Sequence, residues 1–473
     1  MAGRRAGRFR SARGRAAAFA ASSLLVAFAA AGCGGGPRPN VILITLESLR
    51  ADHLGCYGYE RATSPNLDRF AESAVRFSDV HSVTSWTLPS HATILTGLYP
   101  STHRVREPHE RLDDSYVTLG EILAERGYHT EAVLGGPFLR TPYNLNQGFA
   151  VWDDSPSSVE QETAHGDVTN PVMEAKILDF IRSGPREPFF FFAYFWDIHY
   201  DFLPPPPYDT LFTTPEMEPF DDSDFDRNPQ IHPGMKQARL DWTVARYDGE
   251  IRCTDEMLGR IFDALREEGL WENTVIVITA DHGEEFFEHG AKGHKHSLHV
   301  ESVHVPLWIK PAGAAAPRVD GRNGSTVDVA PTLLDLCGVR PPAEMQGRSL
   351  FDPPPEEKGE RFQELRITYY GYVIGQGYDW RTRVFDSWAL GAGDLKYIRM
   401  PMKLGERLYR TDEDPGETRD LAAAMPEEME RLRLRAEEWR ARLDSAAAGY
   451  GATEAASLSP EERERLEALG YLR

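Results

Sequence analysis

The chain has 473 residues, 41% hydrophobic and 26% charged, a globular composition too long for one ordinary domain. Its net charge of −21 includes six arginines ahead of Cys33, so the remainder carries −27. That balance argues against nucleic acid as a partner and gives no steering toward an anionic substrate, so any anion pocket must be locally positive.

Residues 1–32 read as an export signal of the lipoprotein type. Arg-rich residues 1–15 precede an apolar run from Ala16 to Ala31, and Ala30-Ala31-Gly32-Cys33 places small residues before a cysteine. Ala30 stands where a bacterial lipobox prefers Leu. A transmembrane anchor is the alternative, although the run is short for a span of about 20 residues. Cleavage behind Gly32 is expected to leave a lipid on Cys33 and a tether over 33–38. The protein would then be exported and anchored to membrane in the bacterial cell envelope. Cys56, Cys253 and Cys337 lack metal-ligand spacing and read as buried thiols.

Three short apolar runs follow, each ending in a carboxylate or imidazole. Val41 to Leu46 leads to Glu47, Phe189 to Trp196 leads to Asp197 and His199, and Thr274 to Thr279 leads to Asp281 and His282. Such runs predict strands buried on both faces of a parallel sheet, with a site beyond their C-terminal ends. Between the first two, Trp86-Thr87-Leu88-Pro89-Ser90-His91 opens a segment that closes at Gly97, which predicts a helix with Thr87 at its N-terminus. A hydroxyl there is ordinarily a cap, but the same position favours an anion. Leu119 to Arg126 predicts a helix ending at Gly127. Tyr247, Ile251, Leu258, Ile261, Phe262 and Leu265 predict a helical stripe before the Thr274 strand.

A proline- and charge-rich linker is expected over 351–361, separating a domain over 39–350 from a C-terminal subdomain over 362–473. Short antiparallel strands are expected at Leu365 to Ile374, Ser387 to Leu390, Leu395 to Met400 and Arg407 to Arg410. Two helices follow, the last opening on the capping box Ser459-Pro460-Glu461-Glu462. Gly393-Asp394-Leu395-Lys396 reads as a hairpin turn and strand, with substrate contact by Lys396 the alternative.

The segment from Pro39 to Tyr59 resembles the opening of the sulfatase family, part of the alkaline phosphatase superfamily. The likeness continues through Ser64-Pro65-Asn66-Leu67-Asp68, Gly97-Leu98-Tyr99-Pro100, Asp281-His282-Gly283-Glu284 and Val327-Asp328-Val329-Ala330-Pro331-Thr332. The resemblance implies an alkaline-phosphatase-like α/β sandwich, a large mostly parallel sheet flanked by helices, with a small α+β subdomain behind it. It also implies hydrolysis of an anionic ester, phosphate or sulfate, on a small or glycan- or lipid-linked substrate.

Glu47 falls where sulfatases have their first metal-binding Asp, Asp281 on a later acidic ligand, and His282 on its neighbour. Ser48 replaces the second Asp. Glu47, Thr87, Asp281 and His282 together resemble the metal set of lipoteichoic acid synthases and phosphoethanolamine transferases, which implies a Thr nucleophile and one divalent ion. Carboxylates with imidazole suit Zn or Mn better than Ca. Taken singly, Glu47 could be an ion-pair partner and His282 a loop histidine. His294 and Lys295, in Gly293-His294-Lys295-His296, match a transferase histidine near a second metal and a sulfatase anion-contacting lysine; a solvated basic loop is the alternative. His199 resembles a sulfatase site histidine. His91 stands in place of the sulfatase arginine that follows Pro-Ser; a site role there and simple capping or packing are both open.

The departures favour phosphate over sulfate. Formylglycine sulfatases need Cys or Ser at position 87, so no formylglycine is expected at Thr87. A sulfated Thr has no hemiacetal route for release, whereas a phosphorylated Thr is resolved by in-line attack. The sulfatase lysine and histidine of another motif align with Gly135 and Pro137. Sulfate hydrolysis by unmodified Thr, envelope phosphotransfer and a metal-free binding protein on the same fold stand as alternatives.

Overall fold

The computed structural model describes residues 38–158, 169–313, 316–353, 359–374, 377–401, 405–452 and 454–468. The expected signal, most of the tether and Cys33 lie outside them. No described helix is long and apolar enough to cross a membrane.

Eight strands form the main sheet: β1 (Asn40–Leu46), β2 (Val75–His81), β3 (His129–Leu134), β4 (Val151–Asp153), β5 (Phe189–Phe195), β6 (Thr274–Ala280), β7 (Leu307–Lys310) and β8 (Arg318–Ser325). Their order is β8-β2-β7-β6-β1-β5-β3-β4. β7 runs antiparallel to both neighbours, and every other pairing is parallel. The three apolar runs are the central strands, and every residue of each is buried. Leu46 lies level with Phe195 on one side and Ala280 on the other, so Glu47, Trp196 and Asp281 leave the sheet in one row.

Helix Gln237–Glu267 buries the whole expected stripe from Tyr247 to Leu265 against this core. Helix Leu119–Glu125 is opened by a Thr118–Glu121 capping box. Helix Thr87–Thr96 is buried at every position and stops at Gly97, whose φ of 68° lies in the left-handed region that favours glycine.

The C-terminal sheet holds β9 (Glu360–Ile374), β10 (Gly377–Ala392), β11 (Leu395–Met400) and β12 (Gly405–Arg410), antiparallel in chain order. The first two strands are much longer than expected, and β9 begins inside the segment read as linker. Its charges are neutralised rather than solvated. Glu360 takes Arg435 through both oxygens, at 2.7 and 2.9 Å, and the Trp439 indole N–H at 2.7 Å. Both partners come from helix Pro426–Ala447. A second apolar cluster joins Phe362, Trp388, Leu408 and Leu432 to Val83 and Tyr99 of the main domain. Lys396 is buried and donates to Glu417 Oε1 at 2.6 Å and the Leu298 carbonyl at 2.8 Å, a structural role. The last helix, Pro460–Ala468, carries the expected reciprocal bonds between Ser459 and Glu462.

Candidate active site

Glu47, Asp281 and His282 follow β1 and β6 directly, and all are fully buried. One ligand atom from each lies within 4.8 Å of the others. Thr87, the first residue of its helix, brings Oγ1 to 3.2 and 3.3 Å from the two Glu47 oxygens and 3.4 Å from His282 Nε2. His282 Nε2 stands 3.1 Å from Glu47 Oε1 and 3.5 Å from Asp281 Oδ2. The His282 Nδ1–H donates to the Gly283 carbonyl at 2.9 Å, which turns Nε2 toward the carboxylates.

Asp281 Oδ2 is buried without a hydrogen-bond partner among the described residues. A buried carboxylate oxygen in that condition is costly unless something positive faces it. The set of two carboxylates and one imidazole, converging on an orphaned oxygen, fits a divalent ion. Ser48, in the place of the second sulfatase Asp, contributes donors instead. Its N–H reaches Asp281 Oδ1 at 3.2 Å and its hydroxyl reaches Glu47 Oε1 at 3.1 Å.

Charges within this cluster are shared unevenly. Burial opposes charge on Glu47, yet the adjacent His282 holds its carboxyl well below the usual range. Burial pushes Asp281 well above that range, and Glu47 adds to the rise. Burial also opposes charge on His282, but Asp281 and Glu47 bring it up to about 10. Without metal, His282 therefore keeps its proton at neutral pH. A dication needs the neutral ring and the ionised Asp281, so binding releases protons and affinity should rise with pH across the neutral range, by at least about tenfold per pH unit. Chelator competition at pH 6, 7 and 8 checks this expectation; a flat profile would contradict it.

His199, following β5, stacks on Trp196 with ring centroids 3.9 Å apart. His199 and His294 also bring one ligand atom each within 4.8 Å of a Glu47 oxygen. The His294 ring centroid lies 4.5 Å from that of His282, and its Nδ1–H donates to Glu284 Oε2 at 3.3 Å. Burial holds His294 well below its ordinary value. Lys295 is tied to the start of the Thr87 helix through its N–H to the Ser85 carbonyl, 2.8 Å. Its Nζ lies 4.1 Å over the Trp86 ring, and burial lowers it to about 8. His91 packs rather than facing a ligand: Nδ1–H donates to the Thr87 carbonyl and Nε2 accepts from Thr45, both at 2.9 Å.

Two contributors are illegible in the sequence. Tyr194, inside the Phe-rich strand, donates its hydroxyl to Glu47 Oε2. Room for it comes from Gly136, where a Cβ would stand 2.6 Å from the Tyr194 ring and 2.5 Å from Trp196. Gly283 is the other. A Cβ there would lie 2.0 Å from the Glu301 carbonyl oxygen. Gly283→Ala should push the Asp281–His282 turn outward, costing about 1–3 kcal/mol and lowering metal content; a melting curve and elemental analysis check both.

Residues 39–339 match the Sulfatase family, and residues 288–442 match the C-terminal region of N-sulphoglucosamine sulphohydrolase. The chain belongs to the sulfatase family. Its reaction class is therefore ester-bond hydrolysis. The chain is 27% identical over 400 residues to the multifunctional alkaline phosphatase superfamily protein PehA of Trinickia caryophylli, covering 66% of this chain and 76% of that one. It is 24% identical over 471 residues to an N-acetylglucosamine-6-O-sulfatase of Bacteroides thetaiotaomicron, covering 81% and 82%. The fold is that of the phosphonate monoester hydrolase of Agrobacterium radiobacter, with TM-score 0.66, 23% identity and 87% and 96% of the two chains covered.

Proposed function

We propose that this sulfatase-family chain cleaves an anionic ester by covalent catalysis through Thr87, with one divalent ion, Zn or Mn rather than Ca, and with phosphate esters favoured over sulfate. The observation supporting it is the placement of Thr87 Oγ1, 3.2 to 3.4 Å from Glu47 and His282 at the start of a buried helix. Glu47, Asp281 and His282 would hold the ion, which when bound supplies positive charge that lowers the hydroxyl pKa and offsets charge developing on the ester.

In this reading Thr87 gives its proton to solvent, its Oγ1 attacks phosphorus in line and the bond to the leaving oxygen breaks. His199 protonates that oxygen, His294 lines the site in its neutral form, and Lys295 adds positive charge near the transferring group. Water then attacks phosphorus in line, giving a proton to the now neutral His199, and the bond from phosphorus to Thr87 Oγ1 breaks, which returns Thr87 and His199 to their starting forms. Hydrolysis of sulfate esters by the unmodified Thr is the second reading, supported by the sulfatase relatives. Turnover of aryl phosphate, phosphodiester and aryl sulfate esters, with added Zn or Mn, separates the two. Sulfate-only turnover would reject the phosphate preference, and full activity after exhaustive chelation would reject the ion.

We also propose that Cys33 carries a lipid that holds the enzyme in the cell envelope. Cys33→Ser is expected to move the protein from the membrane fraction to the soluble one. An unchanged fraction with unchanged mobility would reject the anchor.

A further inference from the structure

Tyr194 is the only residue of β5 that carries a polar side-chain group, and its hydroxyl is spent on Glu47. It lies level with Thr45 in the pairing of β5 with β1, and Glu47, two residues beyond Thr45, shares that face of the sheet. The ring is fully buried. His91 stands edge-on to it with centroids 4.5 Å apart, and His91 is itself fixed by Thr45 and the Thr87 carbonyl. Gly136 leaves the space the phenol fills, since a Cβ there would stand 2.9 Å from the Tyr194 hydroxyl oxygen.

Each carboxylate of the cluster has one oxygen closed off. Asp281 Oδ1 accepts the backbone N–H groups of Ser48 and His282, at 3.2 and 2.9 Å, which leaves Oδ2 free. Glu47 Oε2 accepts from Tyr194, and the Thr87 hydroxyl beside it is the nucleophile of the proposed reaction, so Tyr194 is its lasting donor. Glu47 Oε1 accepts from Ser48 and keeps a second lone pair, which faces the His282 side of the cluster at 3.1 Å. The atoms left to meet an ion are close together. Thr87 Oγ1 is 3.2 Å from Glu47 Oε1 and 3.4 Å from His282 Nε2, and His282 Nε2 is 3.5 Å from Asp281 Oδ2. Donors each about 2.0 Å from a small tetrahedral ion stand about 3.3 Å apart. An ion that prefers six oxygens must recruit more of them, and here the second oxygen of each carboxylate is already taken.

We infer that Tyr194 is a positioning residue that sets which ion the site accepts: by holding Glu47 to one free oxygen it selects Zn over Mn. The inference rests on the ion proposed at Glu47, Asp281 and His282, and it decides between the two metals named there.

The measurement is the affinity of the metal-free protein for Zn and for Mn, each by chelator competition at one pH, in the parent and in Tyr194→Phe. The phenylalanine keeps a ring against His91 and lacks only the hydroxyl. The ratio of Zn to Mn affinity is expected to fall tenfold or more, because Glu47 can then offer both oxygens to the larger coordination shell. Gly136→Ala, whose methyl would push the hydroxyl off Glu47, is expected to do the same and serves where Tyr194→Phe does not fold. A merely loosened site would weaken both ions alike, so an unchanged ratio in the folded variant would overturn the role of Tyr194. A parent that binds Mn as tightly as Zn would overturn it as well. A parent that takes up neither metal would overturn the ion itself, an outcome distinct from both.

Discussion

Thr87→Ala is expected to keep the fold and the metal while losing roughly a thousandfold or more of turnover, about 4 kcal/mol of transition-state stabilisation. The side chain contributes little to packing beyond one methyl group, and its hydroxyl bonds only within the cluster it would serve. Glu47 retains its bonds from Ser48 and Tyr194 in the variant, so the carboxylate stays in place. Thr87→Ser should recover part of the rate, since the nucleophilic oxygen survives and only the methyl that restricts its rotamer is gone. A trapped phosphopeptide containing Thr87 would identify the covalent path. Full activity in Thr87→Ala would remove Thr87 from the chemistry and leave water as the nucleophile.

Glu47→Ala is expected to abolish metal binding, by at least about a hundredfold in affinity, and to destabilise the protein by about 3–5 kcal/mol. Glu47 is the hub of the cluster, touching Thr87, Ser48, Tyr194 and His282. Its removal strands the Tyr194 hydroxyl and leaves His282 facing Asp281 alone. Glu47→Gln keeps the shape and separates charge from packing: it should fold better than Glu47→Ala yet still bind metal poorly. Elemental analysis showing equal metal in Glu47→Ala and the parent would sink the assignment.

The central sheet was readable because its three apolar runs are buried on both faces and end abruptly in Glu47, Asp197 and Asp281. The helix at Thr87 was readable from Pro89 and Gly97. The long hairpin of β9 and β10 was not, because charges such as Glu360 resemble a solvated linker until Arg435 and Trp439 arrive from a helix some 75 residues later. Tyr194 was hidden for a different reason. Its hydroxyl function is invisible inside a run of phenylalanines, and only the space at Gly136 shows where it points. Lys396 reads as part of a hairpin strand, as found, but its buried partner Glu417 comes from a segment with no motif of its own, which left ligand contact open as the alternative.

The alignment of Leu46 with Phe195 and Ala280 has a consequence for how this chain tolerates change. Glu47, Trp196 and Asp281 project from one row, and successive residues of a strand face opposite sides of the sheet. Inserting or deleting a single residue within β1, even one apolar residue among the others, would turn Glu47 away from Thr87 while leaving the apolar character of the strand nearly untouched. Strand length is therefore as strict a requirement as any side chain in the cluster, and variation by insertion is confined to segments that enter this row from outside the sheet.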